Sequence, residues 1–308
     1  MRTLVVGTRR SELALTQTNW VIERLQELEP DLKIRSEKIV TKGDRILNVT
    51  LSKVGGKGLF VKEIEQALLD GKIDLAVHSM KDMPSEMAPG LVIGSIPKRE
   101  IPTDALLSRD KKTLDELPSG AVVGTSSLRR QAQILAYRPD LKVEPVRGNL
   151  ETRIRKMQEG QFDAIILATS GLKRMDWENK ICQELSPDIM LPAVGQGALA
   201  IQCREDDKEL LALLKRLNHD ETMKAVYAER AFLHAFQGGC HMPIAAYATL
   251  DQDDIHLTGL VAHPEGTTVI KKSSTGKDAE KLGKDLAELL KEEGAGQLLE
   301  TVREGLAL

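Results

Sequence analysis

The sequence predicts an α/β protein in which two doubly wound sheets are followed by a small C-terminal α+β domain. Over the first two thirds of the chain, short apolar runs alternate with helical patterns, as they do in βαβ units. Two segments recur in the same order, since VVGT at 5–8 returns at 122–125 and DGKIDLAVHS at 70–79 is echoed by EGQFDAIILATS at 159–170. Matched segments in one order favour two domains wound in the same way.

The start of the chain is predicted to form the first of these domains, at residues 1–98. LVVG (4–7) predicts a strand, and Ser11 is expected to cap a helix that runs from about Glu12 to Glu29 and ends at Pro30. The later patterns predict, in order, a strand at 34–40, a helix over LFVKEIEQALLDG that Gly71 closes, and strands at 73–79 and 91–96.

A second domain is predicted at 103–192, after the proline-bearing linker PKREIPT (97–103). AVVGT (121–125) is its strand and turn, SSLRRQAQILAY is its helix, and SPDIMLPAVGQG (186–197) is a second linker. The third domain, 220–308, is predicted from a helix at 220–236, strands near 244–250, 255–262 and 267–273, a helix at 277–293 and a terminal helix.

The composition excludes several classes of protein. The 308 residues carry a formal net charge of −3, with a pI near 6.1, so nothing favours attraction of the whole surface to nucleic acid or to a membrane. No apolar run is long enough to span a bilayer and no signal-peptide pattern is present, so we expect a cytoplasmic protein. Any anion site must therefore be a local concentration of cations.

Three cysteines without a CxxC pair argue against a disulfide framework and a structural zinc site. Cys203, in the apolar stretch GALAIQCR, is expected to be buried. Cys240 differs because GGCHMP (238–243) presents it after two glycines at the end of a helical pattern. A helix C-terminus disfavours a thiolate, so Cys240 is interpreted as a covalent attachment point rather than a nucleophile. No fourth ligand is spaced to join His234, Cys240 and His241, so no metal site is predicted.

Cationic and hydroxyl side chains follow the predicted strands, at the edge where doubly wound sheets bind ligands. Helix N-termini favour anions there, and arginine suits carboxylate or phosphate groups. The side chains concerned are Arg9, Arg10 and Ser11 in the first turn, Thr125, Ser126, Ser127, Arg129 and Arg130 in the second, and Arg147 and Arg153 in VRGNLETRIR. Each alone could be solvated surface charge, but the set predicts an anion-binding cleft between the two domains.

Two further motifs lie in the first domain. KVGGKGLFVKE (53–63) departs from a phosphate loop because Lys57 is followed by glycine, so we expect a mobile lid carrying Lys53 and Lys57 rather than a nucleotide site. In HSMKDMP (78–84), Asp82 among cations could stabilise a developing positive charge and move a proton. Capping of the turn before Pro84 is the alternative for Asp82, and His78 is expected to be a packed strand residue.

Seven segments taken together resemble the porphobilinogen deaminase family, also called hydroxymethylbilane synthase. They cover nearly the whole chain, in order: GTRRSELALTQ, KVGGKGLFVKEIE, HSMKDMPSE, GTSSLRRQAQ, RGNLETR, LPAVGQGALAIQCR and GGCHMPIAAYA. The resemblance implies a transferase of porphyrin and haem synthesis. It would condense four porphobilinogen molecules head to tail, with loss of ammonia, and release hydroxymethylbilane by hydrolysis.

The same resemblance implies a dipyrromethane cofactor, bound to Cys240 through a thioether, and Asp82 as the catalytic residue. By carry-over onto matching positions, the cofactor is held by Lys81, Asp82, Ser127, Arg129 and Arg130. The substrate-binding residues implied in this way are Arg9, Ser11, Lys53, Lys57, Arg147 and Arg153. Each pyrrole ring brings an acetate and a propionate group, and these cationic side chains are expected to hold them.

For the fold, the resemblance implies two periplasmic-binding-protein-like domains, and it implies that residues 195–217 return to complete the first. It also implies a monomer that binds porphobilinogen and could pass its product to uroporphyrinogen III synthase. The alternatives left open are a non-catalytic two-domain anion-binding protein and a hydrolase with a cysteine nucleophile. The first leaves Asp82 and the loop of Cys240 without a role, and the second needs a histidine paired with a thiolate.

Overall fold

The computed structural model describes residues 3–45, 61–238 and 242–305. Within these residues the chain divides into two compact units. The first unit contains residues 3–45, 61–100 and 198–223, and the second contains residues 101–197, 224–238 and 242–305. In the described residues the backbone leaves the first unit after Glu100, returns to it at Ala198 and leaves it again after Met223.

The strands, numbered along the chain, are β1 (Leu4–Thr8), β2 (Ile34–Lys38), β3 (Leu75–Ser79), β4 (Leu91–Ser95), β5 (Asp104–Ser108), β6 (Val122–Gly124), β7 (Lys142–Glu144), β8 (Ala164–Ala168), β9 (Gln183–Leu185), β10 (Leu199–Arg204), β11 (Ile244–Asp251), β12 (Asp254–Ala262) and β13 (Val269–Gly276). The α-helices are α1 (Glu12–Leu28), α2 (Lys42–Arg45), α3 (Lys62–Leu69), α4 (Leu128–Tyr137), α5 (Leu150–Gln158), α6 (Thr169–Arg174), α7 (Lys208–Leu217), α8 (Asp220–Ala235), α9 (Ala279–Glu292) and α10 (Ala295–Gly305). Two short 3-10 helices cover Met80–Asp82 and Glu178–Lys180.

The first unit is built on a five-stranded sheet of order β2-β1-β3-β10-β4. β1 runs parallel to β2 and β3, whereas β10 runs antiparallel to both β3 and β4. Successive strand residues point to opposite faces, so Leu75 and Val77 pack with helices α1 and α7, and Ala76 packs with α3 on the other face. Helices thus cover both faces of the sheet, as its buried central strands β1, β3 and β10 require.

The second unit repeats this topology in a sheet of order β7-β6-β8-β5-β9. Here β6 is parallel to β7 and β8, and β5 is antiparallel to β8 and β9. The antiparallel strand has a different place in the sequence of each sheet. In the second sheet β5 precedes the other strands, whereas in the first sheet β10 follows them. Ile134 of α4 and Ile154 of α5 pack on opposite faces.

The segments that recur in the sequence make the same contacts in both units. Asp74 accepts the Val5 N–H at 2.8 Å and donates its own N–H to the Val5 carbonyl, while Asp163 makes the same pair of bonds with Val122. The second carboxylate oxygen meets an arginine from the antiparallel strand or its end, Arg204 at 3.0 Å and Arg109 at 3.1 Å. Each repeat therefore contains an aspartate that joins two neighbouring strands through the same hydrogen bonds.

The second unit also holds the antiparallel sheet β11-β12-β13. One face of this sheet packs on α8, α9 and α10, and the other packs through Ala245 and Leu260 against Ala132 of α4. At the turn between β12 and β13, a Cβ on Gly266 would lie 2.4 Å from the Ala136 backbone nitrogen, which only glycine avoids. Helix α4 therefore lies between two sheets.

The α/β prediction is confirmed, with two doubly wound sheets and a smaller α+β part. Ser11 caps a helix at Glu12–Leu28, as expected, by accepting the Ala14 N–H. The strand expected at 267–273 begins two residues later, at Val269, and β5 begins at Asp104, directly after the segment interpreted as a linker. The three-domain boundaries stay a prediction. Among the described residues, no helix has the length and apolar character needed to cross a bilayer.

Candidate functional site

The segment that carries Lys81 and Asp82 directly follows β3, at the edge where the parallel strands end. Met80 donates its N–H to the Ala198 carbonyl at 3.0 Å, and the side chains of Met80 and Met83 are buried. Lys81 between them is half-buried, and Asp82 is exposed. The two buried methionines anchor a short 3-10 helix that presents the Asp82 carboxylate to solvent on a rigid base.

Two glutamines, one on a helix and one on the neighbouring strand, form hydrogen bonds with side chains at the end of β3. Gln17 of α1 exchanges hydrogen bonds with the Ser79 hydroxyl, at 3.2 and 3.4 Å. Gln202 of β10 contacts the imidazole of His78, with 3.1 Å between its Oε1 and Nε2. Burial lowers the pKa of His78 to about 4, and the positive charge of Arg9 acts in the same direction, against the effect of Gln202. His78 is a packed strand residue, as expected.

Arg9 and Ser11 lie in the turn after β1, which is next to β3 in the sheet. The Ser11 hydroxyl oxygen accepts the Ala14 N–H at 3.3 Å, and its own O–H can still donate to a ligand. Thr8 is buried against Thr18, with 2.8 Å between the two hydroxyl oxygens. Because parallel strands end at one edge, the structure brings Arg9, Ser11, Lys81 and Asp82 to the same edge of the first sheet.

In the second unit, Arg129 and Arg130 at the start of α4 share one carboxylate, that of Asp104. Arg129 Nη1 lies 2.7 Å from Asp104 Oδ2, and Arg130 donates from Nε at 3.0 Å and from Nη2 at 2.7 Å to Oδ1. The two arginines are 4% and 6% exposed, and Asp104 is fully buried. Burial lowers the pKa of Arg129, which Asp104 opposes. Two buried guanidinium groups against one carboxylate leave an excess positive charge that an anion could neutralise.

The turn after β6 meets the loop after β7. Ser126 donates to the Val146 carbonyl at 2.8 Å, and Ser127 caps α4 by accepting the Arg130 N–H at 3.4 Å. In the loop, Arg153 Nε donates to the Gly148 carbonyl at 2.8 Å, where Gly148 has a φ of +117°. Burial lowers the pKa of Arg147. The structure therefore brings Ser127, Arg129, Arg130, Arg147 and Arg153 to one edge of the second sheet.

Three predicted site residues, Lys53, Lys57 and Cys240, lie outside the described residues. The two ends of the loop that contains Cys240 are described, and both are packed. A Cβ on Gly238 would lie 2.7 Å from the side chains of Leu233 and Ile244, so this glycine permits a close approach of the chain to itself. Ile244 and Met242 belong to the core between α8 and the third sheet. The loop therefore starts and ends on fixed points of the second unit.

The sequence did not reveal the polar residues that support these edges. Asp104 opens β5 within DALLS, and its signal was a lone carboxylate at the head of an apolar strand. Gln196, fully buried, donates to Asp104 Oδ1 at 3.0 Å and to the Pro102 carbonyl at 2.7 Å. Gln17 and Gln202 carried no local signal. Cys203, by contrast, is buried as expected, and burial raises the pKa of its thiol to about 12.

Comparisons with known proteins cover nearly the whole chain. Residues 4–212 match the family described as "Porphobilinogen deaminase, dipyromethane cofactor binding domain", and residues 223–292 match "Porphobilinogen deaminase, C-terminal domain". A porphobilinogen deaminase of Brevibacillus brevis is 61% identical over 301 residues, which cover 97% of each chain. That of Bacillus subtilis is 56% identical over 308 residues, covering 99% of this chain and 98% of the relative.

Solved structures of other proteins show a more distant likeness. The periplasmic aliphatic sulphonate binding protein SsuA from Escherichia coli is 13% identical, with a TM-score of 0.42, over 77% of this chain and 71% of its own.

Proposed function

Because the chain belongs to the porphobilinogen deaminase family, we propose that it is a transferase that uses Asp82 to condense porphobilinogen into hydroxymethylbilane. The family places it among the enzymes of tetrapyrrole synthesis, with a domain that binds dipyrromethane. In this proposal four porphobilinogen molecules are joined head to tail, four ammonia molecules leave, and water releases the linear product.

The residues of the second unit fit a group that carries several carboxylates. A dipyrromethane assembled from porphobilinogen has acetate and propionate side chains, and Arg129 and Arg130 offer two buried guanidinium groups against the single carboxylate of Asp104. A ligand carboxylate beside this pair would restore neutrality, and charge-assisted bonds of this kind contribute about 1.5–3 kcal/mol each. Ser127 can donate its O–H while its oxygen caps α4.

We assign the tether to Cys240 and the cofactor carboxylates to Lys81, Ser127, Arg129 and Arg130. When bound, the cofactor supplies a primer whose free pyrrole carbon takes up the next pyrrole ring. An attachment made once needs an accessible thiol more than a permanent thiolate. Support comes from the packing of Gly238 and Met242, which holds both ends of the Cys240 loop in the unit that also carries the arginine pair.

Asp82 has the placement expected of the catalytic group. Its carboxylate is exposed, on a 3-10 helix anchored by Met80 and Met83. It can accept a hydrogen bond from the pyrrole N–H of porphobilinogen, and it can stabilise the positive charge that spreads onto that ring as ammonia leaves. It can also take the proton that the ring loses when it becomes aromatic again. This exposed carboxylate, on a segment that two buried methionines anchor directly after β3, is the observation that carries the proposal.

The remaining cationic and hydroxyl groups are proposed to bind substrate carboxylates: Arg9, Ser11, Lys53, Lys57, Arg147 and Arg153. In the described part of this set, Arg9 and Ser11 lie at the edge of the first sheet and Arg147 and Arg153 at that of the second. Arginine binds a carboxylate through two parallel N–H bonds, which fixes orientation as well as charge. Cytoplasmic location, a monomeric state and transfer of product to uroporphyrinogen III synthase stay predictions.

Two measurements test the proposal. Intact mass spectrometry of the denatured protein should show an excess equal to two linked pyrroles, and Cys240→Ala should lack it. Asp82→Asn keeps the shape of the side chain and removes its charge, so it should keep the mass excess of a preloaded protein while turnover falls at least about a hundredfold. Asp188→Asn, on an acidic side chain with no assigned role, is the control. Near-normal turnover of Asp82→Asn would remove it as the catalyst.

A further inference from the structure

The side-chain amide of Gln133, in helix α4, binds the backbone of Leu191 in both directions. Gln133 Oε1 accepts the Leu191 N–H at 2.7 Å, and Gln133 Nε2 donates to the Leu191 carbonyl at 3.1 Å. Nε2 also donates to the Arg129 carbonyl, one turn earlier in the helix, at 3.2 Å. Gln133 is 5% exposed and Leu191 is 1% exposed. Because an N–H donates and a carbonyl accepts, these contacts allow one orientation of the buried amide.

The Leu191 carbonyl also holds the guanidinium group of Arg129. Arg129 Nη1 donates to this carbonyl at 2.8 Å and to Asp104 Oδ2 at 2.7 Å. A carbonyl oxygen has two lone pairs, so Leu191 can bind Arg129 and Gln133 at once. Both hydrogens of Nη1 are then in use, and two acceptors on one nitrogen fix the plane of the guanidinium group. With Asp104 as the only acceptor on Nη1, the group could turn about that contact.

This hold leaves the carboxylate-binding edge of Arg129 available. In the described part of the chain, the side-chain hydrogen bonds of Arg129 all come from Nη1. Nε and Nη2 form the edge that binds both oxygens of a carboxylate through parallel N–H bonds. Arg130 differs, since its Nε and Nη2 both donate to Asp104 Oδ1. The Leu191 carbonyl therefore sets the direction of a fork that a ligand carboxylate can still use.

The side chain of Leu191 connects this fork to the third sheet. It lies in one buried cluster with Ala132 of α4 and Ala245 of β11. Ala132 follows Arg129 by three residues, and Ala245 is the second residue of β11, the strand that follows the Cys240 loop. Leu191 thus binds Arg129 through its carbonyl and packs with the third sheet through its side chain.

This link bears on the reaction because the proposed cofactor is held at two places. Its tether is assigned to Cys240 and its carboxylates to a set that includes Arg129. The position of the cofactor therefore depends on how Arg129 is set relative to the strand that follows the tether. A displacement of about 1 Å at a reacting group can lower a rate about a hundredfold. A fork that turned would let the free end of the primer leave the reacting position.

We propose that Gln133 and Leu191 are positioning residues of the condensation reaction, which fix the fork of Arg129 relative to the strand after the Cys240 loop and so hold the primer in place for each addition. This inference rests on the proposed roles of Cys240 and Arg129. It assigns a purpose to a buried amide that contacts neither cofactor nor substrate in the proposed function.

The hold on Arg129 is tested by NMR of the full-length holoenzyme labelled with ¹⁵N-arginine. A guanidinium group fixed on two sides rotates slowly, so Arg129 should give separate Nη signals, which Arg129→Lys identifies by their loss. Gln133→Met keeps the length of the side chain and removes its hydrogen bonds, so in this variant the signals should merge. Those of Arg138, which three backbone carbonyls and Asp140 hold, should stay separate. Separate Arg129 signals in Gln133→Met would overturn the proposal.

The effect on the reaction is measured as turnover per molecule that carries the mass excess of the cofactor, so that unloaded protein does not count. In Gln133→Met, kcat should fall at least about tenfold. KM for porphobilinogen should stay within about twofold, because Arg129 is assigned to the cofactor and not to the incoming substrate. Gln131→Met, the same substitution two residues away in α4, is the control and should change neither constant.

The two proposals fail in different ways. If the Arg129 signals merge in Gln133→Met while kcat keeps its wild-type value, the positioning role is wrong and the proposed function stands. If the wild type carries no mass excess, the proposed function fails whatever the state of Arg129. Should Gln133→Met not fold, Leu191→Ala decides. It keeps the backbone bonds to Gln133 and removes the side chain from the third sheet, so an unchanged kcat would contradict the proposal.

Discussion

The first and second sheets have the same topology, and each has its own strand-joining aspartate. They carry different groups, however, at the edge where their parallel strands end. If the repeats are aligned on Asp74 and Asp163, Asp82 of the first sheet corresponds to Gly171 of the second, and the buried Asp104 of the second corresponds to Leu199 of the first. The first edge presents an exposed acid, whereas the second buries its acid beneath two arginines.

This difference shows how one scaffold supports two kinds of chemistry. An exposed carboxylate keeps its charge in water and can exchange protons with a ligand. A buried carboxylate can no longer do this, but it holds two guanidinium groups in fixed positions and only partly neutralises them. The first edge is therefore suited to proton transfer and the second to holding anions.

Removal of the buried acid should have the largest effect. Asp104→Asn leaves Arg129 and Arg130 buried without a counter-charge, so the free energy of unfolding should fall by about 3–5 kcal/mol. Urea denaturation followed by circular dichroism measures it. Asp140→Asn is the control, because Asp140 lies at the surface, where loss of its pair with Arg138 should cost far less than loss of a buried counter-charge. Equal losses in the two variants would show that burial of the arginine pair does not distinguish the second edge.

Acid should destabilise the first sheet through His78, whose counterpart in the second is Leu167. The pKa of His78 is lowered to about 4 in the folded protein, whereas an unfolded histidine titrates near 6.5. The unfolded state therefore binds the extra proton first, and stability falls as the pH drops from about 6.5 to 4. The loss should reach about 3 kcal/mol at pH 4.

The measurement is the free energy of unfolding as a function of pH for wild type and His78→Asn. The wild type should show a steeper decline below pH 6.5, by up to about 1.4 kcal/mol per pH unit. Parallel curves would mean that His78 is accessible to protons in the folded state.

Arg204 and Arg109, the arginines paired with Asp74 and Asp163, should contribute to stability according to how deeply each is buried. Arg204 donates to the Leu68 and Ile73 carbonyls as well as to Asp74, and its side chain is 20% exposed. Arg204→Ala should therefore cost about 2–3 kcal/mol. Arg109, paired with Asp163, is 43% exposed, and Arg109→Ala should cost less than about 1 kcal/mol. Thermal unfolding of the two variants checks this, and a larger loss for Arg109→Ala would contradict the ranking.

The last difference between the two sheets lies at the glycines of the two VVGT turns. A Cβ on Gly124 would lie 2.9–3.0 Å from the ring of Phe162, so Gly124→Ala should cost about 1–3 kcal/mol. On Gly7 it would meet the Ile73 Cδ1 atom, the flexible end of a side chain. Ile73→Val removes that atom and should rescue Gly7→Ala, a result that double-mutant analysis of urea curves can establish. A Gly7→Ala loss that Ile73→Val leaves unchanged would place the obstruction in the backbone.

Much of the fold, and the family, could be predicted because short segments of the sequence indicate both. Helix periodicity, the Ser11 cap and Gly71 each depend on residues within a few positions of one another, and the structure has all three where expected. The seven motifs indicated the family, and the comparisons confirm it. The supporting residues Asp104, Gln202 and Gln17 were missed because each meets its partner from a distant segment.

The sequence alone determined two matched βα repeats, their helix caps and the types of side chain that follow their strands, because these are local preferences of the backbone. Only the tertiary structure decided that β10 and β5 fill the same antiparallel position, and that Arg129 and Arg130 are buried on Asp104 rather than left in water. Strand pairing and the burial of charge depend on which distant segments meet, and no local pattern encodes that meeting.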